Sequence, residues 1–590
     1  MTVRNLEFLF KPKTLAVIGA SERPNSVGAV LTHNLFAGGF GGSILPVSRR
    51  HARIGGIRTY PDIGSLPLVP DLAVIATPPD SVVEIIAELA QRGTRAAVVI
   101  TAGFGEGAAR HGAELAQALR DAAKPYLLRI IGPNCLGILV PGIGLNASFS
   151  HLSPKKGRLA FVAQSGAIVT SIVDWAKERD IGFSHLVSLG DMVDVDFGDM
   201  LDYLANDPET GAILLYIEAV TAARKFMSAA RAASRMKPVI VVKAGRFAEG
   251  AQAAASHTGA LAGADEVYQA VFERAGMLRV FTLQELFDAA ETLALVPQVG
   301  GDRLAILSNG GGLGVLATDA LIEQGGHLAQ LEGGTIAGLN RVLPATWSRA
   351  NPVDIIGDAP GERYAAAYKL LLNDKGSDAI LALNCPTAVA SSTAAAQAVV
   401  DSLPAKSRIP LFTSWVGDGA AATARQLFAA HRIPTYQTPE QAVRSFMYLV
   451  DYQRSQEMLT QTPASVPEDV LPDTDSAGAW IQTALQQGRN WLSDPEAKEV
   501  LSAYGIPVIR SRKAKTPVEA ATAAAELGGT VALKILSPDI LHKTEVGGVM
   551  LDIEGPAAVR NAAETLLQRC TAARPGARLE GLTVEPMVRR

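Results

Sequence analysis

A single histidine among small residues is the first place where this sequence can do chemistry. His257 stands in AASHTGALAG, residues 254–263, with Ser256 before it and Thr258, Gly259 and Ala260 after it. A neutral imidazole is a good nucleophile toward phosphorus and leaves readily afterwards. Small neighbours let a phosphoryl group, and a moving loop, pass close to the ring. Read alone, His257 also fits a surface-loop or core histidine, or a general base, which requires a Ser or Cys nucleophile facing the ring. An orienting carboxylate would fix its tautomer. Glu218 ends the apolar run ILLYIEAV, residues 213–220, where a lone acid is expensive. A helix start is the other reading of Glu218.

Two glycine turns have the composition of anion sites. AQSGA (163–167) and SNGGGLG (308–314) each lead from an apolar run into a helical pattern. Free backbone N–H groups and the helix dipole suit such a position to phosphate. One such turn is a common device for a tight bend. A pair at equivalent positions of two sister domains says more, because pseudo-symmetric packing would aim both at one phosphoryl group.

The elements that must carry these residues follow from short apolar runs. TLAVIGAS (14–21), DLAVIATPP (71–79), AAVVITAGFGE (96–106) and YLLRIIGPN (126–134) read as buried parallel strands, separated by helical stretches such as DSVVEIIAELAQRG (80–93). This predicts a doubly wound α/β sheet with ligands at the carboxyl ends of its strands. RLAFVAQSGAIVTSIVDWAKERDIG (158–182) aligns without gaps on RLAILSNGGGLGVLATDALIEQGGH (303–327), which predicts two similar α/β domains. The Pro-rich, polar stretch at 455–476 reads as a linker, and three further apolar runs at 528–537, 548–553 and 579–588 predict strands of a last unit.

The totals bound the possibilities. A chain of 590 residues needs several cores. A net charge of −4 offers no basic field for nucleic acid or acidic membranes. Cys135, Cys385 and Cys570 are far apart and form no zinc spacing, which suits a reducing compartment. The N-terminus lacks a signal-peptide pattern and no apolar run is long enough to span a bilayer, so the expected setting is cytoplasmic.

With these residues in view, the sequence resembles the ADP-forming acyl-CoA synthetases, relatives of succinyl-CoA synthetase, over essentially its whole length. SHTGALAG (256–263) resembles that family's phosphohistidine loop. VIGASERPNSVG, ATPP, TAGFGE and GPNCLG are similar to its CoA-binding domain, and SLGDMVDVDFGDML (188–201) and NPVDI (351–355) also fit family patterns. The resemblance implies His257 as the phosphorylated residue, Glu218 as its orienting acid and His542 as a second histidine that relays the phosphoryl group. It implies CoA contacts from Gly19, Ala20, Ser21, Gly28, Thr77, Pro78, Gly103, Glu106, Asn134 and Cys135. Phosphate contacts fall on Gln164, Ser165, Gly166, Gly310, Gly311 and Gly312. DPEAKEVLSAYGIPV (494–508) resembles the opening helix and strand of an ATP-grasp domain, with Lys534 reaching nucleotide phosphates and Glu585 near the adenine or ribose.

The implied domain map is a Rossmann-like CoA-binding domain at 1–150, flavodoxin-like domains at 155–298 and 300–455, a linker at 456–484 and part of an ATP-grasp domain at 485–590. The implied activity interconverts acyl-CoA, ADP and phosphate with a carboxylic acid, CoA and ATP. Its partners are a small carboxylic acid or acyl-CoA and a second copy of the chain, with no nucleic acid and no membrane. Two departures stand out. Ser48 in ILPVSRR (44–50) replaces the asparagine usual after that strand. The ATP-grasp pattern is expected to continue past Arg590, which would place its Mg²⁺ ligands there and leave the nucleotide half-reaction dependent on them. A rival from another class is an acyl-CoA-sensing module of a lysine acetyltransferase, in which the reactive histidine is typically replaced; His257 is present here. An NAD-dependent oxidoreductase is disfavoured because GASERPNSVG is not GxGxxG.

Overall fold

The computed structural model describes residues 3–104, 109–247, 249–250, 264–296, 298–405, 407–461 and 472–588. The chain forms two compact units, residues 1–461 and 462–590.

The first unit holds three sheets. In the first, β1 (Thr14–Ile18), β2 (Ser43–Val47), β5 (Leu72–Ile75), β6 (Ala96–Val99) and β7 (Arg129–Ile131) are parallel in the order β2-β1-β5-β6-β7; a small hairpin of β3 (Arg53–Ile54) and β4 (Ile57–Arg58) lies beside it. The connection reverses direction between β1 and β5, which opens a crevice at their carboxyl ends. Gly19 turns the chain there at φ +93°, and a Cβ on it would stand 2.5 Å from the Ala76 carbonyl oxygen. Only glycine allows that approach. The helix Pro79–Arg92 shows the local logic of the layer. Proline opens it, Gly93 closes it in the left-handed region, and Val82, Ile86, Leu89 and Ala90 form its buried face.

The second sheet contains β8 (Gly137–Val140), β9 (Leu145–Ser148), β10 (Lys155–Ala163), β11 (Gly182–Ser188), β12 (Ala212–Ile217), β13 (Val239–Lys243) and β14 (Leu278–Val280), in the order β14-β13-β12-β10-β11-β8-β9. The β8–β9 hairpin falls within the residues expected for the first domain, yet β8 pairs antiparallel with β11 and belongs to the second sheet. The boundary at 150 therefore does not separate the two sheets. Nor does the N-terminus keep to one of them. Leu6, Leu9 and Phe10 share a core with Phe197, Met200 and Leu201 of the second domain.

The third sheet is parallel: β15 (Arg303–Ser308), β16 (His327–Leu328), β17 (Val353–Asp354), β18 (Ala379–Asn384), β19 (Leu411–Trp415) and β20 (Thr435–Tyr436), in the order β16-β15-β18-β19-β20 with β17 beside β15. The aligned repeat is visible as structure. β10 ends at Ala163 and a helix runs Gly166–Glu178; β15 ends at Ser308 and a helix runs Gly311–Glu323. The 22-residue helix Pro439–Thr460 buries Ala442, Val443, Phe446 and Leu449 in a core that also contains Val169, Ile172 and Leu286. That shared core makes the second and third sheets one unit.

The second unit has an antiparallel sheet of β21 (Arg512–Ala514), β22 (Thr530–Leu536), β23 (Val549–Glu554) and β24 (Gly581–Pro586), in the order β21-β24-β22-β23. Helices Pro517–Leu527 and Pro556–Ala573 share its core. The expected linker at 456–484 is shorter than its composition suggests. The helix ending at Thr460 enters it from one side, and the helix Thr474–Gln486 occupies its other end. Within 494–508, expected to hold an opening helix and strand, the helix forms at Asp494–Ala503 and no strand does; the sheet takes Arg512–Ala514 instead.

Candidate functional site

A cavity of about 720 Å³ lies where the first and second sheets present the carboxyl ends of their strands. One wall comes from the turn after β10. Ser165 stands in the N-cap position without a side-chain cap, so the amides opening the helix at Gly166 are left to other acceptors. A Cβ on Gly166 would come 3.1 Å from Leu136 Cβ, so the helix start seats closely on the residue that leads into β8.

Gln164 and Glu218 are tied together by backbone. The Gln164 Oε1 accepts from the Glu218 N–H at 3.3 Å and from the Ala219 N–H at 3.0 Å. This fixes the chain just past β12 and puts Glu218, 8% exposed, in the cavity wall. The next helix begins at Ala223 behind an Ala222 cap, so Glu218 starts no helix. Lys243, at the end of the adjacent β13, is buried and lies over the Tyr268 ring at 4.6 Å. Burial lowers its affinity for a proton, against the pull of Asp265 and Glu218.

The opposite wall carries Thr77, Thr101, Asn134 and Cys135. Thr101 donates to the Thr77 carbonyl at 2.7 Å, and the Asn134 N–H donates to the Thr101 carbonyl at 2.9 Å. Asn134 sits at φ +57° and donates from Nδ2 to Asp191 Oδ1 at 3.1 Å. Cys135 lines the cavity, but its thiol donates to the Val99 carbonyl at 3.3 Å, and burial pushes it up to about 12. It stays a thiol at neutral pH and is no nucleophile.

Gly190 and Asp191 complete this wall, and the sequence reading gave neither a role. A Cβ on Gly190, at φ +58°, would stand 2.1 Å from the Pro133 carbonyl oxygen. The Gly-Asp pair inside SLGDMVDVDFGDML is the signal that could have found them. Ile100, Leu136 and Phe149, the apolar lining, carry no such signal.

Of the other expected CoA contacts, Gly19, Ala20, Ser21, Gly28, Pro78 and Gly103 lie outside the cavity lining. Gly28 packs on Gly19, whose oxygen would be 2.3 Å from a Gly28 Cβ. Ala20 N–H donates to the Val47 carbonyl, and Ser21 Oγ accepts from the Arg23 N–H at 3.0 Å. Pro78 caps the helix Pro79–Arg92, and Gly103 lies against the Pro79 ring. The second glycine turn also lies outside the lining. Gly310 caps its helix 2.9 Å, by its would-be Cβ, from Cys385 Sγ; Gly311 faces Asp354, and Gly312 has open space around it. His257, its neighbours Ser256, Thr258, Gly259 and Ala260, and Glu106 lie outside the described residues.

In the second unit the structure joins two residues assigned to different parts of a nucleotide. Lys534 Nζ is 2.7 Å from Glu585 Oε2. Lys498 Nζ is 2.5 Å from Glu585 Oε1 and 2.9 Å from Asp494 Oδ2. Ser511 Oγ adds a hydrogen bond to Glu585 Oε1 at 3.3 Å. His542 is exposed and precedes the short helical turn Lys543–Val546. Among the described residues no group of three or more His, Cys, Asp or Glu side chains is placed to hold a metal ion. No helix among them is long and apolar enough to cross a membrane.

Comparison with known proteins places each part of this architecture. The sequence matches a CoA binding domain over 13–141, a succinyl-CoA ligase like flavodoxin domain over 156–293, a ligase-CoA domain over 304–459 and an ATP-grasp domain over 483–590. Together these define an acid–thiol ligase of the succinyl-CoA ligase type. The acetate–CoA ligase [ADP-forming] I of Archaeoglobus fulgidus is 38% identical over 583 residues, 99% of this chain and 83% of the relative. The alpha subunit of acetate–CoA ligase [ADP-forming] I of Pyrococcus furiosus is 38% identical over 76% of this chain and 98% of its own length. An acetyl-coenzyme A synthetase 1 of Ca. Korarchaeum cryptofilum, solved with phosphate and ADP, superposes with a TM-score of 0.70 at 35% identity, over 78% of this chain and 99% of that one. The chain belongs to the ADP-forming acetate–CoA ligase family.

Proposed function

We propose that the chain interconverts acyl-CoA, ADP and phosphate with a carboxylic acid, CoA and ATP, with a small carboxylic acid as its acyl partner. The observation that carries this reading is one cavity lined both by Glu218 with the helix start at Gly166 and by Thr77 and Asn134 of the first sheet. Phosphate attacks the thioester carbonyl and CoA leaves as thiol, giving acyl phosphate. His257 then attacks phosphorus and the carboxylate leaves. Glu218 orients the ring nitrogen that does not attack, and the amides at Gly166 stabilise the anion. The second helix start, at Gly311, supplies the same chemistry from the sister domain. The phosphoryl group passes to ADP through the second unit, with His542 as relay. Small residues around His257 let the loop travel between the two places.

Nothing observed favours the acetyltransferase-linked regulatory reading; the relatives described are ligases. A cytoplasmic homo-oligomer is the setting that suits a chain handling CoA and nucleotide, and the relative named as an alpha subunit supports an assembly. The test is incubation with radiolabelled phosphate and a panel of short acyl-CoAs. An acid-labile, base-stable label on wild type, lost in His257→Ala with CoA binding intact, supports the reading. Full labelling of His257→Ala would overturn it.

A further inference from the structure

The polar face of the second unit's sheet contains more than the proposed phosphate contact. β22 and β24 are antiparallel, with Ala532 opposite Glu585 and Lys534 opposite Thr583. Opposed residues and those two apart share a face, so Lys534, Thr583 and Glu585 stand together. Val531, Leu533, Ile535, Leu582 and Val584 alternate onto the other face, in the core. Glu585 is 3% exposed and Thr583 is 1% exposed, its hydroxyl without a hydrogen-bond partner among the described residues. The helix Asp494–Ala503 brings Lys498 to the same carboxylate, 87 residues away in sequence.

We infer that Lys498 is a positioning residue of the nucleotide site: it holds Glu585 in place and keeps a cation on it, and so frees Lys534 to leave its ion pair for a nucleotide phosphate. Glu585 is shared, one oxygen to each lysine, at 2.5 Å and 2.7 Å. A carboxylate this buried is costly to leave unpaired. With Lys498 present, departure of Lys534 leaves Glu585 one cation, shared with Asp494, and the Ser511 hydroxyl. Without Lys498, the same departure strands the charge, so Lys534 stays on Glu585. Lys498 also meets Asp494, one turn earlier on its helix, which fixes the ammonium where both carboxylates need it. The lysine side chains differ in exposure as this division of labour requires: Lys534 is 28% exposed, Lys498 16%.

This inference rests on the proposal that the second unit binds nucleotide, and the test separates the two. ADP binding to the whole chain is measured by calorimetry for wild type, Lys534→Ala, Lys498→Met and Lys498→Arg, with CoA binding and thermal melting of each as controls. The expected result is about tenfold or greater weakening in Lys498→Met, the scale of one charge-assisted contact. CoA binding stays at the wild-type value, and Lys498→Arg recovers most of the ADP affinity. A merely structural lysine would lower the melting temperature without this selective loss. If Lys534→Ala weakens ADP binding and Lys498→Met does not, the inference fails alone. If wild type binds no ADP, or Lys534→Ala binds it as wild type does, the nucleotide-site reading fails with it.

Discussion

His185 sets a measurable acid limit on the stability of the first unit. It lies on β11, 2% exposed, with the Phe10 ring edge-on at 5.2 Å and Tyr203 at 6.1 Å. Neither ring nitrogen has a hydrogen-bond partner among the described residues, and Nδ1 is 3.7 Å from Asp207 Oδ2. Burial pulls its pKa from 6.5 down to about 4, against the attraction of Asp207 and helped by Lys11 and Lys237. The unfolded chain therefore binds this proton at a higher pH than the folded one. The neutral ring's full contribution is present above pH 6.5 and is lost as pH falls toward 4. The loss is on the order of 1 kcal/mol at pH 5.5 and about 2–3 kcal/mol at pH 4.5. His185→Leu removes the proton site while keeping an apolar side chain against Phe10. Any packing defect of the variant is the same at every pH, so only the slope matters. Urea unfolding of wild type and variant at pH 7, 5.5 and 4.5 reads it directly. Wild type should lose stability relative to His185→Leu by those amounts. Parallel pH profiles would refute the reasoning.

Three further outcomes follow from the cavity and the fold. Gln164→Ala leaves the Glu218 and Ala219 amides without their acceptor, which should cost about 1–3 kcal/mol in unfolding and slow labelling of His257. Glu218→Gln should slow that labelling by about a hundredfold while calorimetry shows CoA binding unchanged. Gly190→Ala puts a Cβ 2.1 Å from a carbonyl oxygen at a left-handed φ. It should lower the melting temperature and abolish CoA binding, whereas a variant with unchanged melting would contradict the packing described here.

Local pattern was enough for the interior strands of the first sheet and for the two glycine turns. β5 is four buried residues in a row, LAVI, and such a run has few alternatives to a parallel interior strand. The repeat was legible because strand end, glycine turn and helix start are consecutive in the chain, and each is fixed by its own residues. Glu218 stood out because an acid closing an apolar strand has to be explained; its place in the cavity wall came only with the fold.

What depended on pairing across the fold was not legible. The β8–β9 hairpin has the same apolar composition whichever sheet it joins; only hydrogen bonding to β11 decides it. The helical ends of the expected linker show that Pro-rich, polar composition does not mark where a helix on either side stops. Cys135 could be placed at the cavity but not oriented, since its thiol answers to Val99 on a neighbouring strand. Lys498 resembled any helix-surface lysine, because a charge becomes part of a site only when the fold brings a buried carboxylate within reach of it. Sequence alone determined the local elements and the types of reactive residue. Tertiary structure decided which of them share a wall and which charges must answer one another, because those contacts join residues that nothing in the local chain connects.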